Sequence, residues 1–386
     1  MEALIIGEDT AWPIPALLAR AGFAVDALMT TPAIQNSRFV RNVHITSGTR
    51  LPDQADQLIR TRGKPYDLTV ASEDFTLWRI AEWERHRGRV SHCLPLVPGA
   101  DRRVIHSKIG LSHALTDAGV PTPPFALAQD WEGAQRAARR LGYPVLLKKD
   151  CSEGGRGTFL CRNDEDVLRN RARFTETLLV QKYITGDEID LSAIFLQGDL
   201  VHFSYSRFEK RISTFGPSSV RSFLPSNAAP RHVFQTLSTI GRALGIHGLT
   251  NITAIAPADG SDFQYFEVDL RPNVWADHSR YLGEDAAERI AAWYKERRVL
   301  APAADAQATA YKPVRLANIA RLSLLEIALN RHQARRHWRD PDAKLLHSIL
   351  LGKAVNFFAP LGRLCVPLNM RPGVRRHLIA ARLLPH

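Results

Sequence analysis

Long apolar runs are missing from this 386-residue chain, and with them any stretch resembling a membrane-spanning helix. The first residues carry Glu2, Glu8 and Asp9 where a secretory leader needs positive charge, so Met1 to Asp9 is expected to form a buried strand and not a signal peptide. Cysteine is scarce: Cys93, Cys151, Cys161 and Cys365 lack ligand spacing, which excludes a cysteine-held metal. No Ser-His-Asp or Cys-His arrangement stands out, and neither internal repeats nor low-complexity tracts are present. Two familiar nucleotide motifs are also absent. The loop after Ile6 has one glycine and two acids, unlike a dinucleotide fingerprint. The glycines at 154, 155 and 157 follow a lysine and lead into a strand, whereas a P-loop needs a lysine after its glycines and then a helix.

What remains is enough chain for two or three domains. Near the amino terminus, Met1 to Asp9, Gly22 to Leu28 and Tyr66 to Ser72 have strand character, with a helical stretch from Ala16 to Ala21. Strands alternating with helices predict a small parallel sheet of doubly wound type.

Four later segments carry chemistry. In Gln264 to Asn273, strand alternation places Glu267, Asp269 and Arg271 on one face. Two adjacent carboxylates are costly to desolvate unless a cation lies between them, and a hard divalent ion such as Mg²⁺ suits oxygen donors; a surface salt-bridge stripe is the plain alternative. In Gly142 to Leu160, an apolar strand delivers Lys148 into a turn containing Glu153, Gly154, Gly155 and Gly157. Glycines there tolerate positive φ, so backbone N–H groups can form an anion nest; an ordinary hairpin is the alternative. In Leu178 to Ser192, one strand stops at Thr185-Gly186 and a second begins, offering backbone groups to an adenine edge. Arg103 to Pro123 reads as a short helix bearing Lys108, closed by Gly119 and prolines.

In this order the segments resemble the ATP-grasp superfamily of carboxylate–amine and carboxylate–thiol ligases, over roughly residues 104 to 275. The resemblance implies α/β and α+β architecture, with an N-terminal doubly wound domain (1–100) and an ATP-grasp fold divided into a small subdomain (101–185) and a large one (186–300); charge and helical spacing add a basic helical C-terminal extension (312–386). It implies ATP and Mg²⁺ (or Mn²⁺) as cofactors. Lys108 and Lys148 would contact phosphates, residues 153 to 157 would cover them, and Glu188 would bind ribose. Gln181 would accept from the adenine amino group, and the backbone of Lys182, Tyr183 and Ile184 would read the purine edge. Glu267 and Asp269 would hold the metal, Arg271 would stabilise phosphoryl or acyl-phosphate charge, and Arg207 would lie over the reacting phosphate. Glu8, Asp9, Glu73 and Asp74 are candidates for substrate contact, with solvated loop acids as the alternative. Cys151 and Cys161 can face one another across the glycine hairpin, but ATP chemistry implies a reducing compartment and free thiols.

The sequence departs from the family pattern where an upstream metal carboxylate is usual. Leu249 to Ala256 has no acid, Thr253 aligns with the gap, and Asp269 replaces an asparagine, so the charge is expected to have moved onto one strand. Ile189 to Gln197 and Asp199 to Phe208 predict a hairpin, Ile212 to Asn227 a lid, and Val233 to Leu244 a packed helix. From Lys312 onward there are 14 basic and 3 acidic residues, a net +11 that accounts for nearly all of the chain's +12. Helical spacing at Leu316, Ile319, Leu324 and Ile327 suggests amphipathic helices, docked on the body or lying on an anionic membrane surface. A cytoplasmic enzyme, peripheral at the inner face of the membrane and open to homo-oligomer formation, is expected, with small carboxylic acids and amines as partners and no nucleic acid. A catalytically idle nucleotide-binding adaptor, and a carboxylate kinase or thioester-forming synthetase, are the alternatives.

Overall fold

The computed structural model describes residues 1–8, 13–31, 34, 37–173, 176–299 and 312–317. Residues through Leu316 form one compact unit. The amphipathic helices expected beyond residue 317, Cys365 and Asp9 lie outside the described residues.

The chain opens on a parallel sheet of β1 (Glu2–Gly7), β2 (Ala24–Met29), β3 (Val40–Ile45) and β4 (Leu68–Ala71), in the order β3-β2-β1-β4. Ala3 to Ile6 of β1 are wholly buried because helices cover a parallel sheet on both faces. These are α1 (Ile14–Arg20), α2 (Leu51–Arg62) and α3 (Asp74–Arg87). Glycines in the left-handed region, Gly63 and Gly88, stop α2 and α3.

Next comes α4 (Lys108–Asp117), whose start is fixed by Ser107: its hydroxyl accepts from Gly110 N–H at 2.9 Å. A four-stranded antiparallel sheet follows, in the order β5-β8-β6-β7. Its strands are β5 (Phe125–Ala128), β6 (Val145–Lys149), β7 (Thr158–Cys161) and β8 (Leu178–Lys182). Helix α5 (Trp131–Leu141) buries Ala134, Ala137 and Ala138, three and four residues apart, against this sheet, and α6 (Asp164–Arg169) adds Val167.

The large sheet has the order β13-β12-β9-β10-β11-β14. Its first hairpin joins β9 (Gly186–Leu196) to β10 (Asp199–Arg211) through Gln197 and Gly198, both with positive φ. The expected lid is largely a strand: β11 (Ser218–Leu224) pairs with β10, leaving only Ile212–Pro217 as the turn. Helix α7 (Arg231–Ala243) packs behind, and β12 (Gly248–Pro257) and β13 (Gln264–Asp269) complete one edge of the sheet. Helix α8 (Ala286–Glu296) precedes β14 (Val314–Ala317), so the extension expected to begin at 312 starts as a strand of this sheet.

Along β9 the outward face changes character. Ile194 and Leu196 join Leu17, Ile290 and Trp293 in an apolar cluster, whereas Asp190 and Ser192 of the same face are polar and lie toward the cleft end. Among the described residues no helix is long and apolar enough to cross a membrane.

Candidate active site

A cleft of about 600 Å³ lies between the small sheet and the large one. It is lined by Lys108, Lys148, Glu153, Gly154, Gly155, Gln181, Lys182, Tyr183, Ile184, Glu188, Glu267, Asp269 and Arg271, so nearly all the expected site residues are brought together. Gly157 instead borders a neighbouring, more open cavity behind the glycine turn. Arg207 is outside the cleft and pairs with Asp187 at 3.4 Å. The cation that faces inward on β10 is Arg211, which forms an ion pair with Glu188. Strand alternation places 207 and 211 alike, but register shifts between Phe208 and Arg211 break that parity.

The lysine side of the cleft is built on β6 and α4. Lys148 is buried, with its ammonium 4.7 Å from the centre of the Phe266 ring. Burial pulls its pKa down to about 8; the Glu267 carboxylate opposes that shift and Lys108 adds to it. Lys108 Nζ donates to the Ser152 carbonyl at 2.6 Å and lies 3.1 Å from its hydroxyl, which ties α4 to the glycine turn. Gly154 and Gly155 have positive φ, and Gly155 is also crowded: a Cβ there would stand 2.2 Å from the Phe215 carbonyl oxygen.

On the opposite wall β13 carries the acids. A bulge opposite Thr253 and Ala254 brings Phe266 as well as Glu267 to the cleft. Thr253 stands directly across from Glu267 and donates to it at 3.3 Å; Asn251 stands across from Asp269 at 3.5 Å. Burial pushes the Asp269 carboxyl well up; Arg271 opposes this, while Glu267 and Asp74 add to it. Arg271 lies just beyond the strand. Its Nε and Nη2 donate to Asp74 at 2.8 and 2.6 Å, and Nη2 approaches Asp269 at 3.0 Å. Although burial opposes its charge, Asp269 and Asp74 hold the guanidinium above its ordinary range.

Asp74, at the start of α3, therefore enters the cleft as the partner of Arg271. Glu73 turns inward, and its carboxylate accepts from Glu8 N–H at 2.9 Å and from the Ser72 and Thr76 hydroxyls. At the end of the cleft where a purine is expected, the N–H groups of Lys182 and Tyr183 are taken by the Pro124 and Pro144 carbonyls. That narrows backbone recognition to Ile184 and the carbonyl oxygens. Gln181 is fully buried, and its amide nitrogen has no protein partner among the described residues. Cys93, Cys151 and Cys161 are free thiols; Cys161 faces Val145 across the hairpin, not Cys151.

Sequence reasoning missed His106, Phe208, Arg211 and Phe266 in the lining, and it missed the buried Asp190 and Arg221 beneath the site. Only their residue types hinted at them: a charged residue in the apolar strands β9 and β11 is itself a signal, because burial requires a partner.

Two facing antiparallel sheets, with lysines and a glycine turn on one and paired carboxylates on the other, give this chain the ATP-grasp fold. Residues 107–188 match the model of the carbamoyl-phosphate synthase L chain ATP-binding domain. The 2-oxoglutarate carboxylase small subunit of Hydrogenobacter thermophilus is 44% identical over 78 residues, a match spanning 17% of this chain and 16% of that protein. Among solved structures, the biotin carboxylase domain of the H. thermophilus enzyme, in complex with MgADP and bicarbonate, aligns with a TM-score of 0.58 and 19% identity over 78% of this chain and 70% of that one. The ADP complex of Staphylococcus aureus N5-carboxyaminoimidazole synthetase gives 0.63 and 15% over 86% of each chain. The L-amino acid ligase of Bacillus licheniformis gives 0.54 and 16% over 75% and 72%. At such identities these structures speak for the fold.

Proposed function

We propose that the chain is an ATP- and Mg²⁺-dependent ligase that activates a small substrate carboxylate as an acyl phosphate for attack by an amine, releasing ADP and phosphate. The observation that carries this reading is the convergence of Lys108, Lys148, the glycine turn, Glu267, Asp269 and Arg271 on one cleft. The relatives whose structures contain ADP or MgADP support the same nucleotide here.

The residues present fit these ligands. The Gln181 amide nitrogen, without a protein partner among the described residues, would donate to an acceptor nitrogen on a purine edge, not accept from the adenine amino group as expected from the sequence. Glu267 and Asp269 are hard oxygen donors crowded enough to gain from a cation, and Mg²⁺ bound there would neutralise phosphate charge. Lys148 and Lys108 would draw the nucleotide phosphates toward β6 and the glycine turn. Glu188, now paired with Arg211, would exchange that partner for ribose hydroxyls. Arg271, braced by Asp74 and Asp269, would present its remaining N–H groups to the transferring phosphoryl or the acyl phosphate. Such chemistry rests on positioning and electrostatics and needs no protein nucleophile.

A screen for phosphate release across amino acids and other small carboxylates, each with an amine acceptor, tests the activity. Glu267→Gln is expected to abolish turnover while the fold persists, and wild-type ATP consumption by that variant would reject its metal role. The neutral Thr253 opposite Glu267 favours one second reading, a nucleotide binder without turnover. That reading predicts ADP binding but no phosphate release with any substrate pair. We also propose a peripheral contact of the basic extension with anionic membrane. Deleting residues from 318 onward, which spares β14, is then expected to end cosedimentation with phosphatidylserine vesicles.

A further inference from the structure

Behind the cleft, the polar face of the large sheet continues inward as two cross-strand rows. One runs Glu267, Thr253, Asp190, Ser206; the other runs Asp269, Asn251, Ser192, Ser204. Asp190 is wholly buried, and its Oδ1 pairs with Arg221 of β11 at 2.5 Å. Arg221 lies between the Phe208 and Trp275 rings, 4.5 and 5.0 Å from their centres, and its Nε donates to the Ser218 hydroxyl at 2.6 Å.

Hydrogen bonds lead outward from this pair to the cleft. Asn273 Nδ2 donates to Asp190 Oδ2 at 3.4 Å and to Asn251 Oδ1. Asn273 Oδ1 accepts from Trp275 N–H at 2.8 Å, which fixes the orientation of its amide. With its oxygen turned toward Asn273, Asn251 must direct its own Nδ2 at Asp269 Oδ2, 3.5 Å away. Arg271 addresses the same Oδ2 at 3.0 Å. Among the described residues, both donors that reach Asp269 therefore sit on Oδ2, which leaves Oδ1 for the cleft.

Stability alone does not account for this arrangement, since an apolar pair of similar volume in place of a buried ion pair is often as stable or more so. Direction does account for it. We propose that the buried Arg221–Asp190 pair, acting through Asn273 and Asn251, positions the Asp269 carboxylate so that Oδ1 faces a divalent cation bound with the nucleotide. This rests on the ligase reading above and makes Asp190, Arg221, Asn251 and Asn273 positioning residues.

The test uses the full chain and three readouts: Mn²⁺ affinity in the presence of ADP, from the paramagnetic resonance of free Mn²⁺; ADP affinity in EDTA; and thermal unfolding. Asn273→Ala and Asn251→Ala are expected to weaken Mn²⁺ binding by about tenfold or more while ADP affinity in EDTA is retained. Asn273→Asp, which keeps the shape but sets a carboxylate against Asp190, is expected to do no better than alanine. The paired Asp190→Asn/Arg221→Met variant should show the same selective loss. Should it fail to fold, the asparagine variants decide, because they leave the ion pair intact. Unchanged Mn²⁺ affinity in both alanine variants overturns the proposal. So does a loss of ADP affinity in EDTA together with a fall in melting temperature, which would mark plain scaffolding. A wild-type protein that binds ADP but no Mn²⁺ overturns this proposal and the metal assignment, whereas one that binds no ADP overturns the ligase reading beneath it.

Discussion

Lys148 is the residue whose chemistry is most exposed to measurement. A lysine in the unfolded chain titrates near 10.5, but burial brings Lys148 down to about 8, so between those values the unfolded state binds more protons than the folded one. Stability from this group therefore rises with pH through that window, and the cost of burying the charged form is felt fully below it. Nucleotide phosphates would favour the charged form again. ADP binding at pH 9 is thus expected to take up a proton, seen as a dependence of calorimetric heat on buffer ionisation enthalpy. Lys148→Met should abolish that uptake and weaken ADP binding by about tenfold or more, a change of about 1.4 kcal/mol or larger. No uptake in the wild type would place the phosphates elsewhere. Strand alternation marked Glu267 and Asp269, whereas Lys108 and Lys148 were marked by the resemblance of their segments to a known family pattern. Arg207 could not be told from Arg211, since a bulge changes which side chain faces inward and no residue in that stretch announces it.

The glycine turn and the Ile212–Pro217 turn meet at one point. Gly155 has φ +75°, and an added Cβ would lie 2.2 Å from the carbonyl oxygen and 2.8 Å from the Cβ of Phe215. Gly154, at φ +58°, has open space around it. Gly154→Ala is expected to cost only the left-handed strain of about 1–2 kcal/mol. Gly155→Ala adds a backbone collision, so the two turns must part, and its ADP affinity should fall well below that of Gly154→Ala. Equal affinities for the two variants, by calorimetry, would show that the contact between the turns does not shape the cleft. The second turn was hidden in the sequence by Ser218, Ser219 and Ser222, which read as loop but pair with β10 as β11. Sheet neighbours outweigh the weak strand preference of serine, and those neighbours come from a distant part of the chain.

Across the molecule, the parallel-sheet region and the large sheet share a core. Leu17 and Leu18 of α1 pack with Ile290 and Trp293 of α8 and with Ile194 and Leu196 of β9. Arg20 adds ion pairs to Asp277 at 2.7 Å and Asp285 at 3.2 Å, and Asp74 reaches Arg271 in the cleft. Trp293→Ala should cost about 3–5 kcal/mol. Because its cavity lies in the common core, it should lower one cooperative melting transition; two separated transitions in differential calorimetry would mean that the regions unfold independently.

Local pattern alone determined the amino-terminal strands, the β9–β10 hairpin, the lysine strand, the glycine turn and the acid pair, because alternation, helix period and glycine's freedom act between near neighbours. Folding decided which cation faces the cleft, that Asp74 braces Arg271 from 197 residues away, and that Asp190 and Arg221 lie buried together under Asp269. Those relations depend on cross-strand register and on shared burial, which are set by segments far apart in the chain and leave no mark on the spacing of residues along it.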